Sequence, residues 1–306
     1  MPDKTSRFNP LPFLAPRFWP TWLGLGLLRL SVMLPFKWQR QLGRGLGWLT
    51  YRLMKKRRHI AETNVRLCFP ELSQQQREAI VKKTFDNNGI ALFETAMAWW
   101  ASRQRLKKMC RVSGLEHIHK ALAEGKGVIL LTAHFSTLEI GAAMMALHQP
   151  IQVTYKKARN PLFEAVVKHS RERNFINAID TYDTRKTVNT LKQGLVTWYA
   201  MDQDFGAHRS VFVPFMGVET CTLTTPSRFA RMTGAVIVPY FPRRDDNGHY
   251  QLTILPALQD FPSDSLEQDA ARINALIEEY VRKTPEQYLW VHRRFKTRPA
   301  GEASYY

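Results

Sequence analysis

Two groups five residues apart carry the chemistry this sequence offers most clearly: the imidazole of His134 and the carboxylate of Glu139, in the segment HFSTLE. The apolar run GVILLT (127–132) leads into them and has the β-rich, unbroken character of a buried strand covered on both faces. Residues 136–147 can form the helix that follows, which puts His134 at a strand end and Glu139 in the first helical turn. There the two side chains can meet. A carboxylate bonded to one imidazole nitrogen fixes the tautomer and raises the basicity of the ring, leaving the other nitrogen to take a proton from an attacking hydroxyl. That is the logic of acyl transfer without a protein nucleophile. A plainer pattern fits the same residues, because Ser136 and Glu139 form S-x-x-E, the signature of a helix capping box. Spacing alone leaves the two readings balanced.

The elements that must position this pair alternate in period. Helical spacing covers 73–100, 115–123, 161–173 and 265–283, and β-rich runs occupy VTWYA (196–200), VFVPF (211–215), AVIVPYF (235–241) and YQLTIL (250–255). The pattern predicts an α/β fold: a mixed, largely buried sheet flanked by helices, with chemistry at the strand ends. Asp202 and Asp204, in DQDFG, follow the strand 196–200. Two carboxylates so placed more often bind hydroxyls, cap a loop or pair with arginine than hold a metal, and no metal is expected. Arg171 and Arg173 end the helix 161–173; they offer forked donors suited to a sugar phosphate, although a solvated helix end is the plainer reading.

Charge narrows the partners. The 44 Lys and Arg against 26 Asp and Glu give a formal +18, which favours an anionic partner such as nucleic acid or acidic membrane. No nucleic-acid-binding motif is present, and residues 18–36 (FWPTWLGLGLLRLSVMLPF) would be left without a purpose in such a protein. That apolar segment has about the minimum length for a spanning helix. Arg29 and Pro35 weaken it, since a central Arg costs roughly 2.5 to 3.5 kcal/mol on insertion scales. Trp19, Trp22, Trp38 and Trp48 bracket it as interface anchors would, and Lys55, Lys56, Arg57 and Arg58 follow as a polybasic patch. Membrane attachment is therefore expected, single-pass or monotopic, with residues 1–60 as the anchoring segment and 61–306 as the catalytic domain; a buried N-terminal helix hairpin is the plainer alternative. The basic excess after the segment keeps the domain in the cytoplasm, while Lys4, Arg7 and Arg17 pull the other way. Cys68, Cys110 and Cys221 are odd in number and far apart, as buried thiols of a reducing compartment would be. A Ser-His-Asp hydrolase is disfavoured by the lack of any G-x-S-x-G elbow.

HFSTLE resembles the H-x-x-x-x-(D/E) block of the glycerolipid acyltransferase superfamily, and most of the chain is similar to the lipid A late acyltransferases of Gram-negative bacteria. The segments that carry the resemblance are NVRLCFPE (64–71), ETAMAWW (94–100), HFSTLE, WYAMDQDFG (198–206) and PEQYLWVHRRFKTRP (285–299), long and mutually ordered. The resemblance implies that His134 is the general base and Glu139 its orienting partner. Arg171 and Asp202 fall where the family has functional residues, and they join Arg173 as candidates for binding the acceptor. It further implies acyl carrier protein as thioester donor, with no other cofactor, and a phosphorylated glycolipid as acceptor, by default a Kdo-bearing tetra-acylated lipid A precursor receiving a lauroyl group. The expected place is the inner membrane, with the catalytic domain on its cytoplasmic face. Two departures, YKKARNP (155–161) for YRPxxNP and Met201 where Pro is usual, bear on acceptor or acyl preference. An acyltransferase for another glycolipid or a lysophospholipid would share HxxxxE, but no FPEGTR-like segment appears, and SVFVPFMG (210–217) occupies that place. HRRFKTR (292–298) reads as a solvated basic tail or as a docking surface for an acidic partner.

Overall fold

Strand β2 (Val128–Thr132) runs through the middle of the computed structural model, which describes residues 8–306, and all five of its residues are buried. Its alternation explains the layering. Val128 and Leu130 face one core layer and Ile129 and Leu131 the other, so helices must cover both sides. Each fully buried leucine contributes about 1.5 to 3 kcal/mol.

The chain enters through helices α1 (Trp19–Ser31), α2 (Phe36–Leu53), α3 (Lys55–Cys68), α4 (Gln74–Trp100) and α5 (Arg103–Lys108). Strand β1 (Cys110–Ser113) and helix α6 (Leu115–Ala123) precede β2; α7 (Leu138–Met145), β3 (Gln152–Tyr155), α8 (Pro161–Asn174), β4 (Ala178–Asp180), α9 (Thr184–Lys192) and β5 (Val196–Ala200) follow it. The remainder comprises β6 (Ser210–Phe215), β7 (Val218–Leu223), α10 (Thr225–Thr233), β8 (Val236–Arg244), β9 (Tyr250–Ile254) and α11 (Leu266–Lys283). The seven-stranded sheet has the order β1-β9-β8-β2-β5-β3-β4 and is parallel except for β8 with β9, while β6 and β7 form a separate antiparallel hairpin. The expected α/β class and flanking helices are therefore present. Strands β1, β3, β4 and β7 were not anticipated; the first three have only three or four residues each, too short for a periodic signal.

Helix α4 is the long support of the molecule. Ser73 caps it with a reciprocal Ser73–Gln76 capping box, and α2 crosses it where Gly43 and Gly47 meet Gly89. A Cβ on Gly89 would lie 2.0 Å from the Gly43 carbonyl oxygen, so only glycine permits this approach. Farther along, buried Glu94 pairs with Arg244 of β8 and accepts a 2.5 Å hydrogen bond from Tyr250 of β9, which ties α4 to the sheet.

The segment 18–36 departs from the expected single apolar helix. α1 stops at Ser31, the chain turns, and α2 begins at Phe36 after Pro35. Thirteen residues rise about 20 Å, short of a bilayer core of about 30 Å. Among the described residues no helix is long and apolar enough to cross a membrane. What α1 and α2 present instead is an open apolar face: Trp19, Leu23, Leu27 and Leu30 on α1, and Trp38, Leu42, Leu49 and Leu53 on α2, are all exposed. Of the N-terminal charges, Lys4 and Arg7 lie outside the described residues.

Candidate active site

The parallel pairing of β2 with β5 sets the site. Thr132 is opposite Ala200, the last register position of both strands, so the residues two places beyond, His134 and Asp202, emerge side by side. Asp202 is 2% exposed, and its carboxylate accepts the His134 backbone N–H at 3.0 Å and the ring Nδ1 at 2.6 Å. A carboxylate only accepts here, which places the ring proton on Nδ1 and leaves Nε2 free to act as a base. Burial works to raise the Asp202 carboxyl, but the His134 ring and its N–H donors outweigh it and hold the group well below the usual carboxylate range.

Among the described residues no hydrogen bond joins His134 to Glu139. Its carboxylate is gripped by Arg171, through Nε at 3.1 Å and Nη2 at 2.6 Å, and takes the Trp99 indole N–H at 3.0 Å. The two arginine bonds form a bidentate fork, and the Arg171 guanidinium also lies 4.9 Å over the Tyr155 ring. Burial pushes the Glu139 carboxyl up, and the Arg171 charge with the three donated bonds more than reverses it, so the group stays ionised below its ordinary range. The helix-cap alternative is absent as well. Thr137, not Ser136, is the N-cap of α7, and its hydroxyl is spent on the Pro242 carbonyl at 2.9 Å. The expected His134–Glu139 pair is thus replaced by two pairs, His134–Asp202 and Arg171–Glu139. Asp202, expected to bind the acceptor, has its carboxylate on His134 and is almost wholly buried.

The other expected site residues separate. Arg173 is exposed on α8 and does not line the cavity that Arg171 lines. Asp204 lines the same cavity as His134 but accepts the Thr297 backbone N–H at 2.7 Å, the Thr297 hydroxyl at 2.9 Å and the Gly206 N–H at 2.8 Å, and so caps a loop. Among the described residues no group of three or more His, Cys, Asp or Glu side chains is arranged to hold a metal ion. The three cysteines are free thiols; Cys68 and Cys221 are buried and Cys110 half-buried.

His134 sits where two cavities meet. One, of about 470 Å³, has a cationic excess, with Lys156, Arg171 and Lys296 in its wall beside Glu139 and Asp204. The other, of about 530 Å³, is an apolar groove between α2 and α4, lined by Leu46, Met54, Phe85, Leu92, Leu138 and Val291. The C-terminal segment closes the junction. Phe135 bridges to Tyr288, the Ser136 N–H donates to the Gln287 carbonyl at 2.6 Å, and the Leu289 N–H to the His134 carbonyl at 3.0 Å. HRRFKTR is accordingly no solvated tail: Arg294 is 2% exposed, donates to the Cys221 carbonyl at 3.0 Å and stacks on Phe215, and Phe295 is fully buried. Sequence reasoning overlooked Trp99 and His292 as site residues, although both lie in the quoted segments ETAMAWW and PEQYLWVHRRFKTRP.

Comparison with known proteins agrees in extent as well as kind. The family model described as bacterial lipid A biosynthesis acyltransferase matches residues 8–297. The lipid A biosynthesis lauroyltransferase of Escherichia coli (strain K12) is 43% identical over 96% of both chains; the palmitoleoyltransferase of the same strain is 40% identical, again over 96% of both. The myristoyltransferase is 31% identical over 96% of this chain and 92% of its own. A solved structure, the 1-acyl-sn-glycerophosphate acyltransferase PlsC from Thermotoga maritima, aligns with 80% of this chain and 97% of that one at 11% identity and a TM-score of 0.37, too weak a likeness to argue from. By the family match and by identities that run its whole length, this chain belongs to the bacterial lipid A biosynthesis acyltransferases.

Proposed function

We propose that the protein transfers a fatty acyl group, lauroyl by default, from acyl carrier protein to a hydroxyl of a Kdo-bearing tetra-acylated lipid A precursor. The observation that carries this reading is the position of His134: its ring is fixed by Asp202 at the meeting point of an apolar groove and a cationic cavity. An acyl chain fits the groove by its chemistry, and a phosphorylated sugar fits a wall carrying Lys156 and Lys296. His134 Nε2 takes the proton of the acceptor hydroxyl as its oxygen adds to the thioester carbon, and returns it to the departing thiolate. Asp202 holds the ring and favours its charged form during that step. Arg171 and Glu139 fasten α8 to α7 beside the base, and the fork leaves the free edge of Arg171 facing the cavity. The reaction so written needs no metal or cofactor beyond the carrier thioester.

Attachment to the cytoplasmic face of the inner membrane belongs to the same proposal, in the monotopic form. The exposed Trp and Leu face of α1 and α2 would lie in the interface, with Arg44, Arg52, Lys55, Lys56 and Arg57 toward anionic headgroups. The lauroyl preference rests on the higher identity to the lauroyltransferase.

The test is transfer itself. Detergent-solubilised protein is given lauroyl, myristoyl and palmitoleoyl carrier-protein donors with the tetra-acylated precursor, and the product is weighed. A mass gain of one lauroyl group is expected. No gain with any donor, from folded protein, would overturn the donor and acceptor assignment.

A further inference from the structure

His292 stands apart from the pairs described above. Its Nε2 is shielded from solvent and has no hydrogen-bond partner among the described residues, while the residue lines the cavity that holds His134. Burial is the main cause pushing the imidazole down to about 4; Asp202 works against it, and His134, Arg294 and Lys296 with it. The ring is therefore neutral wherever the protein works near neutral pH, and one of its nitrogens carries a proton to donate.

Several hydrogen bonds pin the backbone around His292. Asn64, fully buried, donates through Nδ2 to the carbonyls of Trp290 and His292, each at 2.7 Å, while its Oδ1 accepts from Tyr306. Arg57 donates to the intervening Val291 carbonyl at 3.1 Å. The His292 N–H itself closes on Leu289 at 3.2 Å. Thus NVRLCFPE, which supplies no group to either cavity wall, fixes the turn that carries His292. Successive residues of that turn face different spaces: Leu289 and Val291 line the apolar groove, His292 the cationic cavity. The turn is the partition at which an acyl chain would end and its thioester carbonyl begin.

We propose that His292 is a catalytic residue that donates a ring N–H hydrogen bond to the oxyanion formed from the acyl thioester. The inference rests on the acyl-transfer reading given above. As the acceptor oxygen bonds to the carbonyl carbon, its proton passes to His134 Nε2 and the carbonyl π pair moves onto oxygen. The negative oxygen is met by the His292 N–H. When the carbonyl re-forms, the carbon–sulfur bond breaks and the thiolate takes the proton from His134. A neutral donor suits this task, because it stabilises the oxyanion and surrenders no proton to it.

Two variants of similar volume separate donation from packing, His292→Gln with an N–H and His292→Leu without one. Steady-state transfer with lauroyl carrier protein should show kcat down about 10²- to 10³-fold in His292→Leu, with KM for both substrates within about threefold of wild type. His292→Gln should recover at least a tenth of the wild-type kcat. Equal kcat in the two variants, or a loss confined to KM, would overturn the proposal. Should His292→Leu fail to fold, the ring ¹⁵N resonances of His292 in the wild type, assigned by their loss in His292→Gln, decide instead. Dodecylphosphonate, whose tetrahedral anion stands for the oxyanion, should shift them; unchanged resonances at saturation would overturn it. Failure of the acyl-transfer reading would look different, since wild type itself would then form no product.

Discussion

His134 and Asp202 stand the same two residues past Thr132 and Ala200, the last paired positions of β2 and β5, and that shared offset closes a 2.6 Å contact between imidazole and carboxylate. The sheet register thus does the work that sequence proximity offered to Glu139. A base set just past the ends of two neighbouring parallel strands takes its position from their ladder hydrogen bonds, and the Leu289 N–H on the His134 carbonyl adds a further hold.

Asp202→Asn should leave the fold intact and cost about 10³- to 10⁴-fold in kcat, because an amide no longer enforces the Nδ1–H tautomer or stabilises the charged ring. Circular dichroism checks the fold and steady-state transfer the rate. A loss below tenfold would show that His134 is oriented by something else.

Glu139→Gln should act on stability as well as rate, since it leaves Arg171 facing a neutral amide in a site where both partners are only 18% exposed. A loss of about 3 kcal/mol in unfolding free energy is expected by denaturant titration. The pH dependence has a definite sign. The folded carboxyl lies below its ordinary value of 4.5, so the pair's contribution is complete above pH 4.5 and is lost as pH falls through the depressed folded value. Glu139→Gln should lack that part of the acid sensitivity.

How far these pairs were legible in the sequence depended on distance along the chain. GVILLT announced a buried central strand, helical spacing over 73–100 announced α4, and His134 at a strand end was plain. Its partner was not, because Asp202 lies 68 residues later and only the register of β2 on β5 brings it home. Glu139, five positions away, was the nearer carboxylate, but Arg171 and Trp99 arrive from α8 and α4 to claim it. The basic segment 292–298 misled for another reason. Composition counts Arg294 as a surface charge, whereas its guanidinium meets the Cys221 carbonyl, the Thr222 hydroxyl and the Phe215 ring inside the protein. The apolar length of 18–36 likewise overstated the helix, since Pro35 and the turn at Val32–Leu34 end it.

His292 makes stability depend on pH in a second window. Its folded value of about 4 lies below the ordinary 6.5, so between these limits the unfolded state binds more protons and stability falls as pH drops from 6.5 toward 4. The charged and titratable groups around the ring are Asp202, His134, Arg294 and Lys296. Thermal melts across this window should slope less in His292→Gln than in wild type; parallel slopes would contradict the buried neutral ring.

The membrane face is open to a separate trial. Leu23→Glu with Leu27→Glu alters two exposed side chains of α1 and should not disturb folding. Flotation with vesicles containing anionic phospholipid should show wild type bound and the double variant at least tenfold weaker. Equal binding would move the contact away from α1.

Gly89→Ala is expected to destabilise by about 1 to 3 kcal/mol, because the added Cβ would overlap the Gly43 carbonyl oxygen and force α2 off α4. The same shift would widen the apolar groove between these helices, so acyl preference should relax along with stability. Competition between lauroyl and palmitoleoyl donors reads that change.

The most direct trial of the central claim is the transfer rate of His134→Ala, in protein shown by its melting temperature to be folded. Loss of the base should lower kcat at least 10²-fold, approaching 10⁴-fold, with little change in KM for either substrate. A variant that still transfers the acyl group at the wild-type rate would contradict the account, and the proton of the acceptor hydroxyl would have to go elsewhere.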